Sequence, residues 1–269
     1  VLPKDFVLEQ VEIHPCHLPA VPEKDFPLWL PPLGEYTASL TGYFRAQGVD
    51  AHALPHLGAH ALSLGRAETG AKEYLPFPAL LGGILAQQEA DPAPAQFLIP
   101  QTQGAEADGQ YARVIRAVLD RRKEQNAQLI SPMLETLPEM AQNCDALFRA
   151  LLAGDILYAA PADKRADISA QWDALPGWEQ LHTAAREIGA LPAKGRRIAA
   201  VGTPLCLTEL DSGVLSTLEA EGSQLLRAPL SEALWFLWKD NMDANKPCAK
   251  WLEQMAQEMQ TIGAELGAH

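Results

Sequence analysis

The chain has 269 residues, 48% hydrophobic and 20% charged, a balance close to the globular average that excludes wholesale disorder, coiled coil and collagen. Its 34 acidic against 21 basic residues give a net charge of −13, which leaves little electrostatic drive toward phosphate backbones and removes nucleic acid from the expected partners. No apolar run approaches the roughly 20 residues a membrane helix needs, and no charged-then-apolar segment opens the chain, so a soluble, cytoplasmic protein without a membrane partner is expected.

The length suits one large or two modest domains at the usual roughly 100 to 200 residues each. The first residue is Val rather than Met, which suggests a processed piece of a longer polypeptide. Cys16, Cys144, Cys206 and Cys248 are far apart and form no C-x-x-C pair, so a zinc knuckle, a thioredoxin-like motif and a disulfide framework are not expected. His14-Pro15-Cys16-His17 is the one dense group of soft ligand types. Its proline stiffens the segment and nothing nearby repeats the spacing, so an extended, Pro-rich arm over residues 1–25 is expected rather than a metal site.

Beyond the arm, predicted strands and helices alternate. A strand over residues 26–30 ends at Pro31-Pro32, a helix over 35–47 stops at Gly48, and a short strand follows over 51–54. A helix over 79–88 is stopped by Asp91-Pro92-Ala93-Pro94, and residues 96–99 form a buried strand ended by Pro100. Asp108 or Gly109 opens a helix to about residue 122, with Tyr111, Val114, Ile115, Val118 and Leu119 on one face. A strand over 128–130 ends at Ser131-Pro132. From residue 137 to 190 strand signals vanish, and Met140, Leu147, Leu151, Leu152, Trp172, Trp178, Leu181 and Ile188 read as packed helices. A strand over 196–202, a helix over 212–221, a strand over 224–227 and a last amphipathic helix over 248–266 complete the pattern. The expected fold class is α/β: two parallel-sheet Rossmann-like lobes, over 26–136 and 195–269, with a helical section over 137–194 between them.

Open α/β sheets bind ligands beyond the carboxyl ends of their strands. Three such ends stand out: Leu30-Pro31-Pro32, Ile99-Pro100-Gln101-Thr102-Gln103-Gly104, and Val201-Gly202-Thr203-Pro204. No Walker motif and no G-x-G-x-x-G follows any of them, so nucleotide hydrolysis is not expected.

Two stretches carry a family resemblance. Leu62-Ser63-Leu64-Gly65-Arg66 with Thr69-Gly70-Ala71-Lys72-Glu73-Tyr74-Leu75-Pro76 is the first, and residues 97–111, from Phe97 through Thr102, Glu106 and Gly109 to Gln110 and Tyr111, are the second. They resemble the 2-hydroxyacyl-CoA dehydratase and benzoyl-CoA reductase superfamily, most closely the carboxy-terminal part of its large activase-related proteins. Val201-Gly202-Thr203, residues 218–222 and Ala228-Pro229-Leu230-Ser231-Glu232 extend the likeness, which spans roughly residues 28 to 238.

In that family, cysteines within the two stretches help hold a [4Fe–4S] cluster that passes one electron to a bound acyl-CoA. Here Tyr74 and Glu106 stand at those positions, and neither phenol nor carboxylate readily replaces a thiolate. The resemblance therefore implies a cluster-less module with no cofactor, acting as a scaffold, partner-binding or small-molecule-binding domain. Its partner would be a dehydratase or activase subunit, or the rest of a longer chain. The alternative is an active acyl-CoA dehydratase or reductase component whose [4Fe–4S] cluster is held differently or by a partner. No catalytic residue is assigned. The candidate cleft comprises Glu73, Tyr74, Thr102, Glu106, Gln110 and Tyr111, with the Tyr74 ring expected to fill the lost cluster's volume and bond to the Thr102–Gln110 loop. Glu73, Tyr74 and Glu106 are a possible acid/base group, with solvated loop residues as the plainer reading. His52, His56 and His60 are spaced by four, but Pro55 and Gly58 break any helix that would bring them together, so exposed loop histidines are expected.

Overall fold

The computed structural model describes residues 18–55, 58–70, 73–102, 107–141, 143–191, 196–200, 214–241 and 247–267. Four short strands, β1 (Leu28–Leu30), β2 (Ala51–Ala53), β3 (Ala95–Leu98) and β4 (Ala127–Ile130), form a parallel sheet in the order β2-β1-β3-β4. Leu28 pairs with Ala51 on one side and Gln96 on the other, and Phe97 pairs with Leu129. β1, β3 and β4 carry apolar residues in both alternating sets of positions, as a sheet covered on both faces requires. The prolines expected to end β1, β3 and β4 follow each within two residues.

One face carries Phe97 and Leu129, packed under α3 (Pro76–Ala90) and α4 (Tyr111–Arg122). The other carries Leu28, Leu30, Leu98 and Ile130 and meets α1 (Glu35–Ala46) and α6 (Cys144–Ala159). A helix not expected from the sequence, α2 (Ala59–Glu68), crosses α3 where two glycines meet. A Cβ on Gly65 would come within 1.7 Å of the Pro78 carbonyl oxygen, and one on Gly82 equally near that of Ala61. The two backbones therefore lie closer than any side chain allows.

Residues 137–190 are helical, as expected: α5 (Leu137–Met140), α6, α7 (Ala162–Ser169) and α8 (Trp178–Gly189). Asn143 caps α6 by accepting from the Ala146 amide at 3.0 Å. The expected strand over 196–202 is present as β5 (Arg197–Ala200), parallel to β6 (Gln224–Arg227) in a separate two-stranded sheet, with α9 (Val214–Ala220) before β6. The expected ligand-facing end at Val201-Gly202-Thr203 lies outside the described residues. Two further helices, α10 (Leu230–Asn241) and α11 (Pro247–Glu265), close the chain. Leu234 and Trp238 of α10 and Met255 and Ile262 of α11 join α6 and α8 in the cluster on the first sheet's face. The chain is thus mixed α/β with a four-stranded parallel sheet. No described helix is long and apolar enough to cross a membrane.

Asp155 of α6 ties α10 to this core. It accepts from the Tyr36 hydroxyl at 2.6 Å and from the Leu230 and Ser231 amides at 2.8 and 3.2 Å, so it occupies the N-terminus of a helix 75 residues away in sequence. The residue keeps part of its surface, but the carboxylate lies deep among protein atoms. That desolvation outweighs its hydrogen-bond donors and pushes its pKa up to about 6.

Candidate functional site

The strand order fixes where a crevice can form. From β1 the chain crosses to β2 on one side, and from β3 to β4 on the other, so the segments leaving β1 and β3 diverge at a topological switch point. A cavity of about 310 Å³ opens there. Pro31 and Leu33 reach it from β1's carboxyl end, Ile99, Pro100, Gln101 and Thr102 from β3's, and Pro132 from β4's. Gly109 and Tyr111 close one side, and Tyr43 of α1 and Gln47 just past its end, with Leu147, Leu230 and Leu234, close another. Of the four segments expected to converge on one cleft between the lobes, Pro31 and the described parts of the Gln101-to-Tyr111 segment line this cavity, residues 73–76 do not, and Gly202 and Thr203 lie outside the described residues.

Local bonding holds the rim. Gln101 donates its amide proton to Pro132 O at 3.0 Å and its side-chain Nε2 to Ser131 O at 3.0 Å, while its carbonyl accepts from Leu134 at 2.8 Å. This continues the β3–β4 pairing past both prolines. The Thr102 hydroxyl donates to Oε1 of Glu135, a buried carboxylate. Gly109 is pressed against that loop: a Cβ there would fall 2.6 Å from Thr102 Cγ2. The Tyr43 phenol has its pKa raised above the ordinary value, chiefly by burial.

The arm supplies the remaining wall. Ala20, Val21, Pro22 and Lys24 line the cavity, and Lys24 is the one charged residue among the described residues that do so. Ser131 donates to Pro19 O at 2.6 Å, and Gln96 of β3, fully buried at 0% exposure, clamps the arm farther along. Its Oε1 accepts from the Glu23 amide at 2.8 Å, and its Nε2 donates to the carbonyls of Glu23 at 2.8 Å and Phe26 at 3.0 Å.

Of the six residues expected to make the cleft, Thr102 and Tyr111 line it. Glu73 and Gln110 are exposed and not part of it, and Glu106 lies outside the described residues. The expectation for Tyr74 is corrected: the residue is 72% exposed and does not fill an interior volume. Tyr74 precedes the start of α3, where Pro76 sits in the first turn and the Tyr74 carbonyl accepts from Phe77 at 3.0 Å. That turn sends Phe77 inward instead, with its ring 5.0 Å from that of Tyr111. His52 and His60 stand on different elements. His52, on β2, pairs with Asp50 at 2.8 Å, and His60, on α2, with Glu89 at 3.2 Å; His56 lies outside the described residues.

The side chains of Cys16, Cys206 and Cys248 lie outside the described residues. Cys144, the one cysteine whose side chain is described, donates to Pro138 O at 3.2 Å, and the phenol at position 74 is on the surface. Among the described residues no three His, Cys, Asp or Glu side chains gather as metal ligands.

Two other features lie apart from the cleft. Arg165 bonds Glu219 at 2.6 Å and approaches Glu35 at 3.7 Å, while the Arg227 guanidinium lies 4.3 Å over the Tyr158 ring. Burial raises the pKa of Glu35 although Arg165 and Arg227 oppose it. A shallower recess of about 230 Å³ lies between α7 and α8, lined by Gln171, Trp172, Gln180 and Thr183. It is away from the strand ends and lacks the apolar enclosure of the switch-point cavity. No family model matches the chain, and neither a curated protein nor a solved structure matches it.

Proposed function

We propose that this chain is a cluster-less, 2-hydroxyacyl-CoA dehydratase-like module of the cytoplasm that binds a small molecule in the switch-point cleft. Of the roles expected for such a module, small-molecule binding is the one the cleft supports. The observation that carries this reading is an apolar cavity at the carboxyl ends of β1 and β3, of a size usual for ligand pockets and edged by a few polar groups. In this reading the two parallel sheets are two Rossmann-like lobes, and the loop holding Thr102 and Gly109 is what remains of the family's cluster-binding motif. The ring contact between Phe77, which directly follows the first resembling stretch, and Tyr111, which ends the second, supports that reading.

The test is calorimetric titration against a panel of aliphatic and aromatic acids, alcohols, coenzyme A and acyl-CoA thioesters, with Leu33→Trp as a variant whose indole fills the cavity. At least one class binds with unit stoichiometry and loses affinity in Leu33→Trp. A panel without binding, or binding indifferent to that variant, would overturn the small-molecule reading. Stoichiometric iron and sulfide in an anaerobic preparation would overturn the cluster-less one.

A further inference from the structure

We infer that the ligand of the switch-point cleft is a monocarboxylic acid with a small apolar body, its carboxylate held at the mouth by Lys24. This rests on the small-molecule reading above and deepens it. The walls define the body. The side chains of Leu33, Ile99, Leu147 and Leu234 offer no hydrogen-bond partner, so a polar group set against them would lose its hydration without replacement. The volume limits its size: at the roughly 30 Å³ that a water-sized group occupies in a liquid, 310 Å³ holds an apolar body of about ten non-hydrogen atoms, with the carboxylate beyond it at the mouth.

The mouth defines the head group. Lys24 is exposed, so its ammonium stays hydrated until a partner arrives. Its Nζ lies 3.5 Å from where a Cβ on Gly48 would be, which sets it beside the end of α1, next to Gln47 of the lining. One cation on a chain of net charge −13, flanked by exposed Glu23 and Asp25, suits a single negative charge and repels a polyphosphate. Gln96 is the positioning residue. By bonding both the amide and the carbonyl of Glu23 it fixes the backbone from which the Lys24 side chain departs.

Decanoate and decanol, which share one apolar body, separate the contributions in calorimetric titrations at low and high salt. Decanoate binds the unaltered protein with unit stoichiometry. Lys24→Gln weakens it about fivefold at low salt, the upper range for an exposed ion pair. Lys24→Arg preserves most of the affinity, and added salt removes most of the difference between unaltered and Lys24→Gln protein. Decanol binds without sensitivity to Lys24→Gln or to salt, and both ligands weaken in Leu33→Trp. Equal binding of the two ligands, unchanged by Lys24→Gln, would overturn the carboxylate inference while leaving the small-molecule reading standing. Failure of both to bind would overturn the inference, and a blank across the wider panel as well would take the small-molecule reading with it.

Discussion

The ring of Tyr36 lies where a side chain on Gly154 would be: a Cβ on that glycine would stand 2.0 Å from Tyr36 Cδ1. This contact lets α1 settle against α6 and carries the Tyr36 hydroxyl to Asp155 one residue on. Gly154→Ala forces ring and helix apart, and we expect a loss of about 1 to 3 kcal/mol, the usual cost of overpacking. Urea unfolding monitored by tryptophan fluorescence measures it, and a loss below half of that range would mean that the helices separate without strain.

Asp155 gives stability a pH dependence of defined sign. Its pKa is about 6 in the fold and near 3.8 when unfolded, so the folded state holds the proton more tightly. The stability it contributes is complete below pH 3.8 and declines as pH rises to about 6, by roughly 3 kcal/mol at most. Asp155→Asn cannot titrate. The unfolding free energy of the unaltered protein minus that of Asp155→Asn should therefore fall between pH 4 and pH 6 and be level above. A difference that rises with pH would contradict the assignment.

Gln96→Leu leaves the amide and carbonyl of Glu23 without the side-chain partner that holds them now. Unsatisfied groups of this kind cost about 1 to 3 kcal/mol. In hydrogen-exchange mass spectrometry, peptides over residues 18–27 should exchange faster in the variant while those of α3 keep their protection. Unchanged exchange in the arm would show that the Ser131-to-Pro19 bond alone suffices to hold it.

A third tie secures the last helix. His182 on α8 places Nδ1 2.8 Å from Glu265 and Nε2 3.1 Å from Glu258, and Arg186 reaches Glu265 at 3.1 Å. His182→Ala should raise exchange in α11 and lower stability by about 1 kcal/mol, since these groups are only partly shielded. Glu258→Gln and Glu265→Gln should each reproduce part of the effect. Protection of residues 247–265 that survives His182→Ala would assign the docking of α11 to Met255 and Ile262 alone.

The main strands and most helices were legible because proline ends β1, β3 and β4 in the sequence itself and the helices between them carry apolar faces. Two helices escaped. In α2 only Ala61 and Gly65 are buried, because it packs by backbone contact and shows no apolar stripe. The N-terminus of α10 is capped by Asp155, far away in sequence, so no local signal marks its start. The site divides in the same way. Thr102 and Tyr111 follow from the rule that parallel strands open at their carboxyl ends. Lys24 reaches it on an arm that Gln96 of β3 holds by bonds far apart in sequence, Glu135 meets Thr102 from the loop after β4, and Tyr74 misled because one turn before α3 exchanges its place with Phe77.

The central claim, that the switch-point cleft is the ligand site, is tested most directly by amide chemical-shift mapping of the ¹⁵N-labelled protein during titration with decanoate. The account predicts shifts concentrated at Lys24, Leu33, Gln47, Ile99, Thr102 and Tyr111, saturating together. Shifts concentrated at Gln171, Trp172, Gln180 and Thr183, in the recess between α7 and α8, would contradict it.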